Sequence, residues 1–282
     1  MSSLTSVLSN TRRIDREQLR MLLSSSLQKL TIEVVDETGS TNADLIARLK
    51  AMDKPRLPIV RVAYRQTAGH GRHGRPWIAA PGNALLFSFA CEILRSPAEL
   101  AGLSLAVSTA VLAGLRALMP TNMHRLALKW PNDVLLDGAK LAGILIEIAR
   151  SSHTSSSVVI GIGFNLEGEE ALAAQLSAQA NPPAALARVL PQVAMTDVLA
   201  HLLNALAAML ERFSEHGLAP FLQAWNDNHA YAGKKVLVLE SGREILTGIA
   251  TGVDAYGRLL IDTGNGIQTI ASGDVSLRAH IL

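Results

Sequence analysis

Between residues 60 and 162 five apolar runs of strand length follow one another, at 60–64, 84–89, 126–130, 141–148 and 158–162, and one helix-length segment, 98–119, interrupts them. Helical spacing also marks 44–52 and the stripe Val198, Leu199, Leu202, Leu203, Leu206, Met209, Leu210 and Phe213, with Thr196 ahead of it as an N-cap. Strands that cluster between helices without strict alternation predict an α+β fold, a mixed sheet with flanking helices, over a doubly wound parallel sheet. Past Tyr231 the texture changes. Short β-rich runs at 236–239, 245–249, 259–261 and 267–270 are separated by Ser241-Gly242, Ala255-Tyr256-Gly257 and Gly264-Asn265-Gly266, which predicts a small barrel or sandwich. The chain therefore divides into domains at 1–231 and 232–282. A unit of about 50 residues is marginal alone, so the second is expected to pack on the first.

Composition excludes several function classes. With 26 Lys+Arg against 24 Asp+Glu, the net charge of +2 is too small to indicate a nucleic-acid partner. Aromatic residues at 4% argue against a base-stacking platform. The single Cys91 can form neither an internal disulfide nor a multi-cysteine zinc site, which fits a reducing, cytoplasmic setting. The N-terminus lacks the basic start and apolar block of a signal peptide. The uncharged stretch 100–115 is broken by Gly102, Ser104, Ser108, Thr109 and Gly114. It is shorter than the roughly 18–20 residues of a membrane span, so it reads as a core helix. The stretch 179–192, rich in Ala and Pro, reads as a loop, and 15–27 as one amphipathic helix packed on the larger domain.

Four segments carry candidate chemistry. The segment Gln66-Thr67-Ala68-Gly69-His70-Gly71-Arg72-His73-Gly74-Arg75-Pro76-Trp77 matches G-x-G-x-x-G formally. Pro76 disfavours helical angles at Arg75 and no helical pattern follows, so a dinucleotide fingerprint is not expected. Glycines that let backbone N–H groups approach a ligand, with arginine forks beside them, suit an anion. A solvated basic loop is the other reading. In the segment 129–147, Asp137-Gly138 signals a hairpin. That hairpin can fold Lys140 back toward Asn132 and Asp133, though a snorkelling lysine and a turn-capping aspartate would give the same pattern. Gly143 inside the strand suggests close approach of a ligand or another backbone. Ser40, Thr41 and Asn42 precede a helix, either as caps or as a polar ligand site. Gly161-Ile162-Gly163-Phe164-Asn165 ends a buried strand.

Together, GSTN at 39–42, QTAGHGRHGRPW at 66–77, KWPNDVLLDGAKLAGILIE at 129–147 and GIGFNL at 161–166 resemble the biotin–protein ligases in order and spacing. The resemblance implies a catalytic domain of the class II synthetase-like type and an SH3-like C-terminal barrel. It implies formation of biotinyl-5′-AMP from biotin and ATP with Mg²⁺, then transfer of biotin to a lysine of the biotin carboxyl carrier protein of acetyl-CoA carboxylase. By the same resemblance, biotin is bound by Ser40, Thr41, Asn42, Gln66, Gly69, His70, Gly71, Arg72, Lys140 and Gly143. ATP is bound by Arg72, Arg75, Trp77, Asn132, Lys140 and Asn165, and the catalytic residues are Arg72, Lys140 and Asp133. The metal ligands are not assigned.

Attack by an already ionised carboxylate needs no base, only cations that hold two anions together. Transfer to a carrier lysine does need one, and Asp133 is the candidate nearest in sequence. The sequence departs from the commoner family loop, which carries arginine at the positions of His70 and His73. About 37 residues precede Thr38, too few for the winged helix-turn-helix of some members, so DNA binding is not expected; a homodimer is left open. A lipoate–protein ligase and a non-catalytic biotin or nucleotide sensor are the competing readings.

Overall fold

The computed structural model describes residues 9–52, 56–176, 182–240, 243–271 and 275–279. The larger unit opens with a short helix α1 (Arg16–Leu22), capped by the Asp15 carboxylate on the N–H groups of Glu17 and Gln18. The single helix expected over 15–27 is instead broken. Leu23 is extended, Ser24 gives its N–H to Asn204 Oδ1, and a 3-10 turn occupies Ser25–Leu27. A run of three serines competes with helix through such local bonds.

A seven-stranded sheet follows, in the order β1-β2-β3-β7-β6-β5-β4. Its strands are β1 (Thr31–Thr38), β2 (Ile59–Gln66), β3 (Ala84–Ile93), β4 (Leu126–Lys129), β5 (Asp133–Leu136), β6 (Ala139–Ser151) and β7 (Ser156–Asn165). Only β1 and β2 pair in parallel, across α2 (Thr41–Ala51); the other neighbours are antiparallel. This is the mixed sheet expected. β3 is buried at nine of its ten positions because helices cover both of its faces, hence its unbroken apolar run. On one face lie α3 (Leu103–Leu118) and α5 (Met195–His216) over the main core. On the other, Leu45 and Leu49 of α2 pack on Ile59, Ala90 and Val159. Two short helices complete the unit, α4 (Glu169–Ala173) and α6 (Leu222–Asp227), the second packed on α3.

Thr196 is not the N-cap of α5. The helix begins two residues earlier than that cap would set, at Met195 after Ala194, and the Thr196 hydroxyl accepts from Asp15 N and donates to Arg13 O, tying the N-terminal segment down. Part of the loop expected over 179–192 lies outside the described residues, and a 3-10 turn occupies Leu186–Arg188.

The C-terminal unit is a five-stranded antiparallel sheet in the order β11-β10-β9-β8-β12. Its strands are β8 (Lys235–Glu240), β9 (Arg243–Val253), β10 (Leu259–Asp262), β11 (Ile267–Ile270) and β12 (Val275–Ala279). Its core residues Val236, Val238, Ala250, Leu259 and Ile261 join the main core, as a small unit needs. Its Gly257 carbonyl also accepts the Trp130 indole N–H at 3.1 Å.

Candidate active site

The β5–β6 hairpin is irregular. The ladder pairs Asp133 with Gly143 and Val134 with Ala142, then shifts so that Leu135 pairs with Lys140. An unshifted ladder would set Lys140 opposite Leu136 and turn it to the face away from Asp133. The bulge moves it onto Asp133's face, since one extra residue inverts the alternation. Lys140 Nζ then lies 2.8 Å from Asp133 Oδ1, and Asp133 is 12% exposed, so the pair is only partly screened. The bulge also releases the Lys140 backbone from β5, and other groups take it up. Its N–H donates to Pro182 O at 2.7 Å, while its carbonyl accepts from Ala184 N at 2.8 Å and from Asn165 Nδ2 at 3.2 Å.

Opposite the hairpin the glycine loop folds back on itself. Gly71 N donates to Arg75 O, Trp77 N donates to Gly69 O, and a 3-10 turn spans Arg72–Gly74. No helix opens from it, so the formal dinucleotide match is void. His73 holds φ 58°, a left-handed conformation that disfavours β-branched residues. The loop delivers the Trp77 ring onto a glycine floor made by the cross-strand pair Gly143 and Gly163. A Cβ at Gly143 would stand 2.9 Å from Trp77 Cζ3, and one at Gly163 would overlap the indole. The close approach expected at Gly143 is thus made by side chains, Trp77 and Lys140. Lys140 Nζ lies 5.4 Å from the Trp77 ring centre, a cation–π contact. The Trp77 Nε1–H is buried without a partner among the described residues, a donor open to a ligand oxygen.

A polar cluster closes the other end. Ser40 caps α2 through Ala43 N, as the capping reading had it. Thr41 and Asn42 have other work. Thr41 N and Oγ1 both reach Gln66 Oε1, at 2.7 and 3.0 Å. Asn42 lies over Gly161, where a Cβ would collide with its amide, and its Nδ2 donates to Glu147 Oε2 at 2.8 Å.

Between the two ends lies a cavity of about 150 Å³. Of the residues singled out from sequence, it is lined by Ser40, Thr41, Asn42, Gln66, His70, Gly71, Arg72, Arg75, Trp77, Asn132, Asp133, Lys140 and Gly143. Gly69 and Asn165 are not on its wall. Gly69 leaves room for the Gln66 amide, whose Nε2 would stand 2.8 Å from a Cβ there. Asn165, 4% exposed, donates to Lys140 O and Ala184 O and so anchors the lysine's backbone from behind. Among the wall residues that carried no assigned role are these four: Phe87, Lys129, Trp130 and Pro131. Three of them lie inside the KWPND stretch, which marked the place without separating its members. Ser88 and Glu147, behind the cluster, were also missed; their one signal is a polar residue inside an apolar run.

Comparison with known proteins matches this architecture. The family model described as biotin/lipoate A/B protein ligase covers residues 31–165, and that of the biotin protein ligase C-terminal domain covers 231–278. A biotin–[acetyl-CoA-carboxylase] ligase of Mycobacterium tuberculosis is 35% identical over 268 residues, 93% of this chain and 95% of the relative. The bifunctional ligase/repressor BirA of Escherichia coli is 32% identical, over 88% of this chain and 73% of its own. Among solved structures, the biotin protein ligase of Aquifex aeolicus in complex with biotin and ATP is similar with a TM-score of 0.71 and 29% identity, over 89% of this chain and 99% of the other. Similarity of this extent, spanning both sheets and all four motif segments, shows that the chain belongs to the biotin–protein ligases.

Proposed function

We propose that this chain activates biotin with ATP to biotinyl-5′-AMP and transfers the biotinyl group to a lysine of the carrier domain of acetyl-CoA carboxylase. The observation that carries the reading is one cavity with a hydrogen-bonding end at Thr41 and Gln66 and a cationic end at Lys140 and Arg72. The named relatives and the biotin- and ATP-bound neighbour support it.

In the first step a biotin carboxylate oxygen attacks the α-phosphorus. The new O–P bond forms as the bond to pyrophosphate breaks, and pyrophosphate leaves. Lys140 and Arg72 offset the repulsion of the two anions, with their cost of orientation already met by the fold. Trp77 and the loop over it exclude water that would hydrolyse the mixed anhydride. In the second step the carrier lysine Nζ attacks the biotinyl carbonyl, an amide forms, AMP leaves and the amine sheds a proton. Asp133 is the one carboxylate among the described residues on the cavity wall, and it takes that proton.

No group of three or more His, Cys, Asp or Glu among the described residues could hold a metal. That suits Mg²⁺ carried on the ATP phosphates, where one or two protein oxygens suffice. Asp133 and the Asn132 side-chain Oδ1 would supply them, and the ion would neutralise phosphate charge. The domains are assigned as 1–231, catalytic, and 232–282, SH3-like, the second buttressing the cavity wall through Gly257 and Trp130. No described helix is long and apolar enough to cross a membrane.

The test is to supply ATP and Mg²⁺ with either biotin or lipoate and follow pyrophosphate release and labelling of a carrier-domain lysine. Biotin-dependent release and labelling are expected. Lipoate-dependent labelling would make the chain a lipoate ligase, and binding without release would make it a sensor.

A further inference from the structure

We infer that Ser88 and Glu147, neither of which lines the cavity, are positioning residues that fix the donor–acceptor pattern read by a cyclic urea; the inference rests on the proposed biotin activation.

The argument is a proton inventory. The Glu147 carboxylate only accepts, so the Asn42 group facing it at 2.8 Å is the NH₂, which also reaches Leu145 O. Asn42 Oδ1 is thereby turned to Ser88, whose side chain is fully buried, and takes the single Ser88 proton. Ser88 Oγ, 2.7 Å from Thr41 Oγ1, is left as an acceptor toward Thr41. Thr41's other neighbour, Gln66 Oε1, is also an acceptor, because it receives the Thr41 backbone N–H at 2.7 Å. The one Thr41 hydroxyl proton is thus committed within the cluster, and its lone pairs remain as acceptors. With Oε1 held on Thr41, Gln66 Nε2 turns the other way, into the space that Gly69 leaves open.

Gln66 itself lines the cavity, and with its Oε1 committed to Thr41 its amide has only N–H groups left to give, so this end offers an acceptor at Thr41 and a donor at Gln66. A urea, with N–H beside C=O, complements that pair. A dithiolane or an alkyl chain offers neither partner. The carboxylate that cannot donate fixes Asn42 and, through it, the Ser88 hydroxyl beside Thr41, while the Thr41 backbone N–H fixes Gln66 Oε1. A buried polar network of this kind has one satisfied arrangement, and breaking one link frees the rest.

The test compares Ser88→Ala and Glu147→Gln with the unmodified protein. Glu147→Gln keeps the shape but can donate as well as accept, so Asn42 loses its fixed orientation. Calorimetric titration with biotin and with desthiobiotin, which keeps the urea and lacks the sulfur, should show Kd raised about tenfold for both ligands in both variants. KM for biotin should rise while KM for ATP stays within twofold. Biotin affinity within twofold of the unmodified protein in either variant that melts normally would overturn the inference. So would equal losses for biotin and ATP, the mark of a general structural role. If the unmodified protein binds no biotin, the proposed function fails and takes the inference with it. Unmodified binding with undiminished Ser88→Ala and Glu147→Gln removes the inference alone.

Discussion

Lys140 Nζ sits 2.8 Å from Asp133 Oδ1 because a bulge in β6 puts two residues of one hairpin on one face that regular pairing would separate. The pair is only partly exposed and both members line the cavity. Replacing Lys140 with alanine removes the cation proposed to draw the two anions together. The expected loss in biotin-dependent pyrophosphate release is about 10²–10³-fold, the usual scale for a preorganised electrostatic contact. Normal release would refute the assignment. Asp133→Asn should fall harder on transfer from preformed biotinyl-AMP than on biotin binding, which single-turnover labelling of the carrier separates.

Arg72 lines the same cavity at the start of the 3-10 turn in the glycine loop. With histidines at positions 70 and 73, Arg72 and Arg75 carry the loop's permanent charge on the cavity wall, and Arg72 is the one proposed to retain the adenylate. Arg72→Gly is expected to let biotinyl-AMP escape, so that bystander lysines become biotinylated when albumin is added to the assay. Labelling confined to the carrier would count against that role.

The glycine floor under Trp77 offers a structural check. A methyl at Gly163 would overlap the indole, so Gly163→Ala should force Trp77 off its seat and away from Lys140. The chain has three tryptophans, and Trp130 and Trp225 are each 1% exposed, so a red shift in emission reports Trp77. Adenylate formation should fall about tenfold alongside the shift, given the short range of packing and cation–π contacts. Unchanged emission would mean that the indole does not rest there.

Much of the fold was legible because apolar periodicity reports burial. The core helix α3, the amphipathic α5 and the runs that became β2, β3 and β7 all bury what their spacing says they should. β1 was not seen. It is an edge strand with Glu33, Asp36 and Glu37 along it, so its polar residues mask the alternation. The site was legible where glycine, proline and short polar residues punctuate strand ends, at 39–42, 66–77 and 129–143. It was not legible where the partner is remote: Ser88 meets Asn42 across 46 positions and Glu147 meets it across 105. Nor could the β6 bulge be read, since neither Ala139 nor Leu141 signals a skipped pairing.

His229 sets an acid limit on stability. Its ring is 7% exposed, stacks on Trp225 at 4.7 Å between centroids, and turns an edge toward Tyr231. Neither ring nitrogen has a hydrogen-bond partner among the described residues. Burial, with a smaller push from Lys234, lowers its pKa to about 4. Above about pH 6.5 the ring is neutral in both native and unfolded chains and contributes no pH dependence. As pH falls from there toward 4, the unfolded chain takes up a proton that the native chain refuses. Stability then drops by about 1.4 kcal/mol per pH unit, up to roughly 3 kcal/mol. The backbone around His229 clasps β4, with Leu128 N bonded to Asn228 O and Ala230 N to Leu128 O, so the ring that titrates is tied to the strand leading to Lys129 and Trp130. His229→Phe keeps an aromatic ring and abolishes this titration. Urea unfolding at pH 7.0, 5.5 and 4.5 should therefore show a shallower decline for the variant than for the unmodified protein. Parallel declines would show that other groups govern the acid limit.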